Sequence, residues 1–346
     1  MRFYKDSNKI YLDSAKASPM YYELLKWRNN YEKKSLIEKS EIRINHENKV
    51  DKVKNQVSDF FNVKNGDVFF SNSFSQAFHS LISQIKGNPT FVVLEEDYPS
   101  ISDSIKRNNF KIIYVKNDDN LEQNLEDVVK TYNPHFLAIS IVQWIDGLKL
   151  DLDFLKSLKS KNKNLTIIGD GTQFCGTSKF DFDNSALDVI ISSGYKWMFS
   201  GYGIAFILIK ETFYKNNFLL MNKINMKQCL EIGHFDMLAI GSLSLSLNKL
   251  QIMIESIEKK LVDYSKILMS ELSKLNLISK KIKNRNQHST IFNINDKNGN
   301  LYEFLTRNNI VCSQRGDGVR ISLSFFNTKS EIKRFVHIIK KFNQLL

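Results

Sequence analysis

The chain has 346 residues, more than one hydrophobic core usually organises, so two domains are expected. Hydrophobic residues make up 42% and charged residues 25%, an ordinary globular balance, and no run of about 18 apolar residues points to a membrane span. The net charge of +12 raises nucleic acid as a partner, but only nine of the 49 cationic residues are Arg and no aromatic platform for bases lies among the Lys clusters, so solvated surface charge is expected, with no nucleic-acid and no membrane partner.

In chain order, the first 20 residues read as a segment that packs on another part of the chain, and residues 21–235 as a large α/β domain. Short apolar runs at 68–70, 91–94, 111–115, 136–141, 165–168, 189–191 and 204–209 have strand length, and several are apolar on both faces. Helical patterns fall between them, at 73–85 and 121–132 for example. This alternation predicts a mostly parallel sheet covered by helices. A long helical pattern at 236–275 then links to a smaller α+β domain at 276–346, with strands at 289–294, 310–313 and 319–323 and helices at 301–308 and 329–343. The N-terminus, Met1-Arg2-Phe3-Tyr4-Lys5-Asp6, turns charged too early for a signal peptide, and Cys175, Cys229 and Cys312 form neither a disulfide framework nor a CxxC site, so a cytoplasmic location is expected.

The chemistry concentrates between 165 and 209. One predicted strand ends in Gly169-Asp170-Gly171-Thr172-Gln173, and the next runs into Ser193-Gly194-Tyr195-Lys196-Trp197. A carboxylate and a lysine therefore sit at neighbouring strand ends, where α/β folds bind ligands. Pyridoxal phosphate (PLP) needs these residue types: an amine for its aldehyde, a carboxylate against its ring nitrogen, and hydroxyls and backbone N–H groups for its phosphate. The Ser-rich stretch Ser71-Asn72-Ser73-Phe74-Ser75-Gln76-Ala77 supplies the last of these as a strand–turn–helix. No G-x-G-x-x-G opens a helix, so a dinucleotide site is not expected.

These segments, in this order, resemble the class V aminotransferase family of fold-type I PLP enzymes, which includes cysteine desulfurases, kynureninases and isopenicillin N epimerase-like proteins. Asp170-Gly171-Thr172-Gln173 resembles the family's D-x-x-Q, and Ser193-Gly194-Tyr195-Lys196 its S-x-H-K. Tyr11 to Pro19 resembles Y-L-D-N-A-A-T-T-P, Ser71 to Ala77 the phosphate turn, Glu231 to His234 the E-x-G-T segment, and Val319-Arg320-Ile321-Ser322 with Asn327-Thr328 the R-x-S…Y-N-T element.

The resemblance implies a large domain built on a mostly parallel mixed sheet that binds PLP, a smaller α+β domain, and a homodimer with shared sites. It implies a Schiff base on Lys196, which then acts as the base at the substrate Cα, with Asp170 on the ring nitrogen and Gln173 at the ring 3-oxygen. Ser75, Ser193, Tyr195 and the backbone near Phe74 would hold the phosphate, Tyr98 would stack on the ring, and Gly233 and His234 would reach a phosphate, in their own site or the partner's. Arg320 would grip a substrate carboxylate, because its planar fork matches two oxygens. Tyr98, Tyr195 and His234 depart from the usual His, His and Thr.

Blander readings stand beside these. Asp170 would serve as a helix cap, Arg320 would pair with Asp317 or Glu331 on the surface, and Trp144 and Trp197 would be core or pocket wall. Cys312 lies in an apolar strand and the turn before Arg320 has no cysteine, which argues against a sulfur relay. The sequence thus predicts a PLP-dependent enzyme acting on a small amino substrate through a Cα carbanion. Transamination is the first reading, a β-lyase (C–S lyase or desulfurase-like) or epimerase the second, and a non-catalytic anion-binding protein a remote third.

Overall fold

The computed structural model describes residues 1–6, 8–220, 223–296 and 298–344. Its strands are β1 (Ile10–Tyr11), β2 (Gly66–Ser71), β3 (Thr90–Leu94), β4 (Lys111–Val115), β5 (Phe136–Ser140), β6 (Thr166–Asp170), β7 (Val189–Ser193), β8 (Ala205–Lys210), β9 (Ile291–Asn295), β10 (Ile310–Val311), β11 (Ser313–Arg315) and β12 (Gly318–Ser322).

β2 to β8 form one seven-stranded sheet in the order β2-β8-β7-β6-β5-β3-β4. The pairs from β7 to β4 are parallel, and β8 is antiparallel to both β7 and β2. β5, β6 and β7 are buried along their whole length, which is why they read as unbroken apolar runs rather than alternating ones. The edge strand β4 instead exposes Lys111 and Tyr114 and buries only Val115 fully. Two apolar clusters cover the two faces. One includes Phe74, Phe78, Ile101 and Ile105 from the helices Phe74–Ile82 and Pro99–Arg107. The other includes Val57, Leu125, Leu155 and Leu247, from four helices on the opposite side.

Because β8 reverses direction twice over, β2 points the same way as β3, β5, β6 and β7. The loops after all five strands therefore open on one edge of the sheet, the crevice where this architecture holds ligands.

The 38-residue helix Met237–Lys274 starts at Asp236, whose carboxylate accepts from the Leu238 N–H at 2.8 Å. By length and composition alone it is apolar enough to cross a membrane. Polar Asn248, Lys249 and Gln251 interrupt the run. Leu243, Leu247, Leu250, Ile254, Ile257 and Leu261 recur at helical spacing and are buried in the core, the stripe of a core helix.

The C-terminal part carries the antiparallel sheet β11-β12-β9. The single strand expected at 310–313 is two: β10 pairs in parallel with β1, and β11 turns to pair with β12, the break falling at Cys312. The N-terminal segment is thereby drawn across the molecule. Ser322 N–H donates to the Leu12 carbonyl at 2.7 Å, and Ala15 N–H to the Ser322 hydroxyl at 2.8 Å. A few residues on, Ser18 N–H reaches the Tyr195 carbonyl at 3.2 Å.

The loop after β5 joins the two sheets at Gly147. Its φ is +75°, its carbonyl accepts from the Ser289 hydroxyl at 2.7 Å, and a Cβ there would overlap the Ile291 carbonyl oxygen. Left-handed backbone and the backbone contact both demand glycine. Gly147→Ala is expected to cost about 2–4 kcal/mol, from strain plus overpacking, read as a lowered thermal midpoint.

Candidate active site

Lys196 follows β7 in a tight turn, held by Gly194 N–H to the Ile204 carbonyl at 2.9 Å and Ser200 N–H to the Gly194 carbonyl at 3.0 Å. A Cβ on Gly194 would overlap the Ser200 hydroxyl, so a side chain there would force Ser200 and Ile204 to shift. Lys196 is only 8% exposed, and among the described residues its Nζ makes no hydrogen bond or ion pair. Burial pushes its ammonium down to about 8, opposed chiefly by the charge of Asp170. A lysine buried this way is costly in a purely structural role and is a mark of function.

Asp170 ends β6 beside it. Its carboxylate accepts the Thr172 N–H at 2.8 Å and is itself buried. Burial pushes it up to about 6, against the Thr172 hydrogen bonds and the Lys196 charge. The Asp170–Thr172 contact has the form of a local cap, but Thr172 lies in a turn and no helix follows, so helix capping does not account for the residue. Sequence reasoning gave Thr172 no role, yet its hydroxyl also accepts the Ser193 N–H at 3.3 Å and so joins the two loops.

Asp170 and Lys196 line a cleft with Ser73, Phe74, Ser75, Tyr98, Trp144, Gln173, Ser193 and Tyr195. At one end the helix Phe74–Ile82 presents its N-terminus. Ser73 caps it by accepting the Gln76 N–H, Ser193 accepts the Phe74 N–H at 3.1 Å, and the hydroxyls of Ser75 and Ser100 share a hydrogen bond of 2.7 Å. Backbone donors, hydroxyls and the helix dipole together make this end fit an anion.

The cleft wall carries Tyr98, set edge-on to Phe74 (5.8 Å) and to Trp144 (6.0 Å). Its backbone is fixed by buried Asp97, which accepts the Tyr98 N–H at 2.7 Å, the Ser140 N–H at 3.0 Å and the Ser140 hydroxyl. Tyr195 stacks on Tyr202 with ring centres 4.5 Å apart. Gln173 lines the cleft, but its amide is engaged at both ends: it donates to the Ala15 carbonyl at 2.9 Å and accepts from Trp197 Nε1 at 2.7 Å.

Arg320 is neither a surface residue nor paired with Asp317 or Glu331. It is 2% exposed on β12, donates to the Trp144 carbonyl at 2.7 Å and lies 3.5 Å from Asp13, while its Nε has no partner. Asp13 also accepts from the Ser313 hydroxyl at 2.6 Å. Asp13 carried no role in the sequence reading. The available signal was an acid flanked by Leu12 and Ala15 in a segment otherwise destined for burial.

Gly233 and His234 are not brought to this cleft within the chain. They are exposed and line a separate hollow with His46, Asp51, Lys54 and Glu231. His79 lies on the helix Phe74–Ile82 and does not line the cleft. Cys175 and Cys312 are buried, and burial pushes both thiols up to about 12, the wrong direction for a nucleophilic thiolate.

The set fits PLP by its donor chemistry: an unpartnered, desolvated amine, a buried carboxylate beside it, and an anion-binding helix start at the other end of one cleft.

Known proteins agree with this arrangement at the level of fold and family. The apo structure of a cysteine desulfurase from Thermococcus onnurineus NA1 superposes with a TM-score of 0.80 at 15% identity, covering 98% of this chain and 95% of that one. A NifS-like protein from Rickettsia africae gives 0.79 at 18% identity over 97% and 99% of the chains. A C-DES variant, solved with glycine covalently linked to its PLP cofactor, gives 0.80 at 12% identity over 96% of each. An uncharacterized aminotransferase of Schizosaccharomyces pombe is 25% identical over 259 residues, which is 67% of this chain and 63% of that protein. An uncharacterized protein of the same organism is 21% identical over 74% of this chain and 65% of its own length, so the chain spans somewhat under two thirds of the curated relatives it matches. The aminotransferase class-V profile matches residues 10–335, nearly the whole chain, and the chain belongs to that family.

Proposed function

We propose that this protein is a PLP-dependent enzyme that acts on an α-amino acid, with transamination as its reaction. The observation that carries the reading is the buried Lys196, whose amine has no hydrogen-bond partner among the described residues and which lines one cleft with the buried Asp170. PLP, when bound, supplies an electron sink for the pair left at the substrate Cα.

The remaining work belongs to the chain. Lys196 would supply the amine that holds the cofactor and then, through its unprotonated fraction, take the proton from Cα and carry it away from that carbon, as transamination requires. Its depressed basicity suits that task, because an ordinary lysine near 10.4 would be almost wholly protonated. Asp170, held by the Thr172 N–H, would as an anion keep a proton on the ring nitrogen. Ser75, Ser193, Tyr195 and the start of the helix Phe74–Ile82 would hold the phosphate, Tyr98 would cover the ring face, and Gln173 would reach the 3-oxygen only by giving up its bond to Ala15. Arg320 takes the α-carboxylate, exchanging its long contact with Asp13 for a bidentate one. Gly233 and His234, remote from their own cleft, would complete the site of a second copy in a homodimer.

Neither Cys175 nor Cys312 suits a sulfur relay, since both are buried with raised thiols and neither lines the cleft. Purified protein incubated with PLP is expected to turn yellow, and borohydride to fix the cofactor's mass on the Lys196 peptide. Lys196→Ala should lose both, and a wild-type protein that stays colourless overturns the reading. An amino-acid panel then separates the reactions: transamination moves nitrogen to an acceptor keto acid, whereas elimination releases ammonia.

The pH dependence has a definite sign. In the cofactor-free protein, reductive methylation of Lys196, followed by mass spectrometry, should rise with pH through about 8 rather than above 10. Asp170→Asn removes the charge that holds the proton on Lys196, so its midpoint should move to lower pH.

A further inference from the structure

Behind Trp144, a residue of the cleft wall, stands a guanidinium for which the reaction above has no use, that of Arg315. In the β11–β12 hairpin Ser313 is opposite Arg320 and Arg315 is opposite Gly318. Alternate residues on one strand and directly opposed residues on its neighbour share a face, so Ser313, Arg315 and Arg320 stand on the same side of the sheet. That side meets the loop after β5. Arg320 donates to the Trp144 carbonyl at 2.7 Å, and the Arg315 guanidinium lies 6.0 Å from the centre of the Trp144 ring. Trp144 is edge-on to Tyr98, and Tyr98 to Phe74, so a row of rings runs from the anion-binding helix start, past Lys196, to Arg315.

The two arginines differ in how their charge is met. Arg320 is buried and has Asp13 at 3.5 Å. Arg315 is half-buried and, among the described residues, has no carboxylate within ion-pair distance; its one side-chain hydrogen bond goes to the Gln314 carbonyl at 2.8 Å. A guanidinium held against an aromatic ring keeps its in-plane N–H donors for an anion.

We propose that Arg315 selects the substrate, and that the preferred substrate is an α-amino acid with a second acidic group on its side chain, its α-carboxylate at Arg320 and its side-chain carboxylate or sulfonate at Arg315. The proposal rests on the amino-acid reading of the site. An amide of the same shape has one acceptor oxygen and no charge, so it cannot form the bidentate ion pair, and selectivity between acid and amide reports on Arg315.

The test uses PLP-reconstituted protein titrated with L-glutamate, L-aspartate and L-cysteate against L-glutamine and L-asparagine, read as the change in the cofactor's absorbance. Wild type is expected to bind at least one acid roughly tenfold or more tighter than its amide, the size of one charged hydrogen-bonded pair. Arg315→Gln should bring that ratio close to one, and Arg315→Lys should restore part of it, while the cofactor band itself remains in both. Calorimetric titration of the same proteins with glutarate against butyrate reads the same preference without needing the cofactor's colour. Equal affinity for acid and amide in wild type, or an undiminished preference in Arg315→Gln, overturns the proposal. Failure of the PLP reading looks different: no cofactor band forms, and the glutarate-to-butyrate ratio then decides the role of Arg315 by itself.

Discussion

The site depends on the burial of one primary amine. Lys196 is taken out of water among the ends of β3, β5, β6 and β7, with no hydrogen bond in the described structure to offset the loss of solvent. Desolvation disfavours its charged form, and the charge of Asp170 opposes this without cancelling it. A second buried acid, Asp97, acts in turn on Asp170 and raises it further. The cleft therefore holds groups whose protonation is set by one another rather than by water, the condition under which acid–base chemistry runs near neutral pH.

Holding that amine in place needs parts of the chain that are distant in sequence. Thr172 joins the loops that carry Asp170 and Lys196. The N-terminal segment reaches both sheets: it pairs with β10 and β12 on one side and touches Tyr195 and Gln173 on the other. Asp13 from this segment meets Arg320 from the C-terminal sheet. A buried ion pair of this geometry is a weak source of stability, but breaking it would leave a buried charge uncompensated. The pair ties the N-terminal segment to β12 and holds the Arg320 guanidinium near Trp144.

Some of this was legible in the linear sequence. Unbroken apolar runs identify strands buried on both faces, and a chain that crosses back in parallel must leave its strand ends on one edge, so Asp170 and Lys196 could be placed at a common crevice from their positions alone. The Ser-rich turn at 71–77 was likewise readable, because capping chemistry is local. Less visible were contacts whose partners are hundreds of residues apart. Arg320 pairs with Asp13 rather than Asp317 or Glu331, and the strand at 310–313 divides at Cys312 because its two halves pair with different partners.

By itself, then, the sequence determined the layered α/β architecture and the placing of Asp170 and Lys196 at neighbouring strand ends, since both follow from local patterns: hydrophobic period, strand length and residue type at a strand end. Only the tertiary structure decided which charges meet. Gly233 and His234 lie away from the cleft, Gln173 is held by Ala15 and Trp197, and Arg315 comes to Trp144 beside Arg320. The physical reason is that a charge or hydrogen bond is satisfied by whatever lies within about 3 Å in space, and separation along the chain carries no information about that distance.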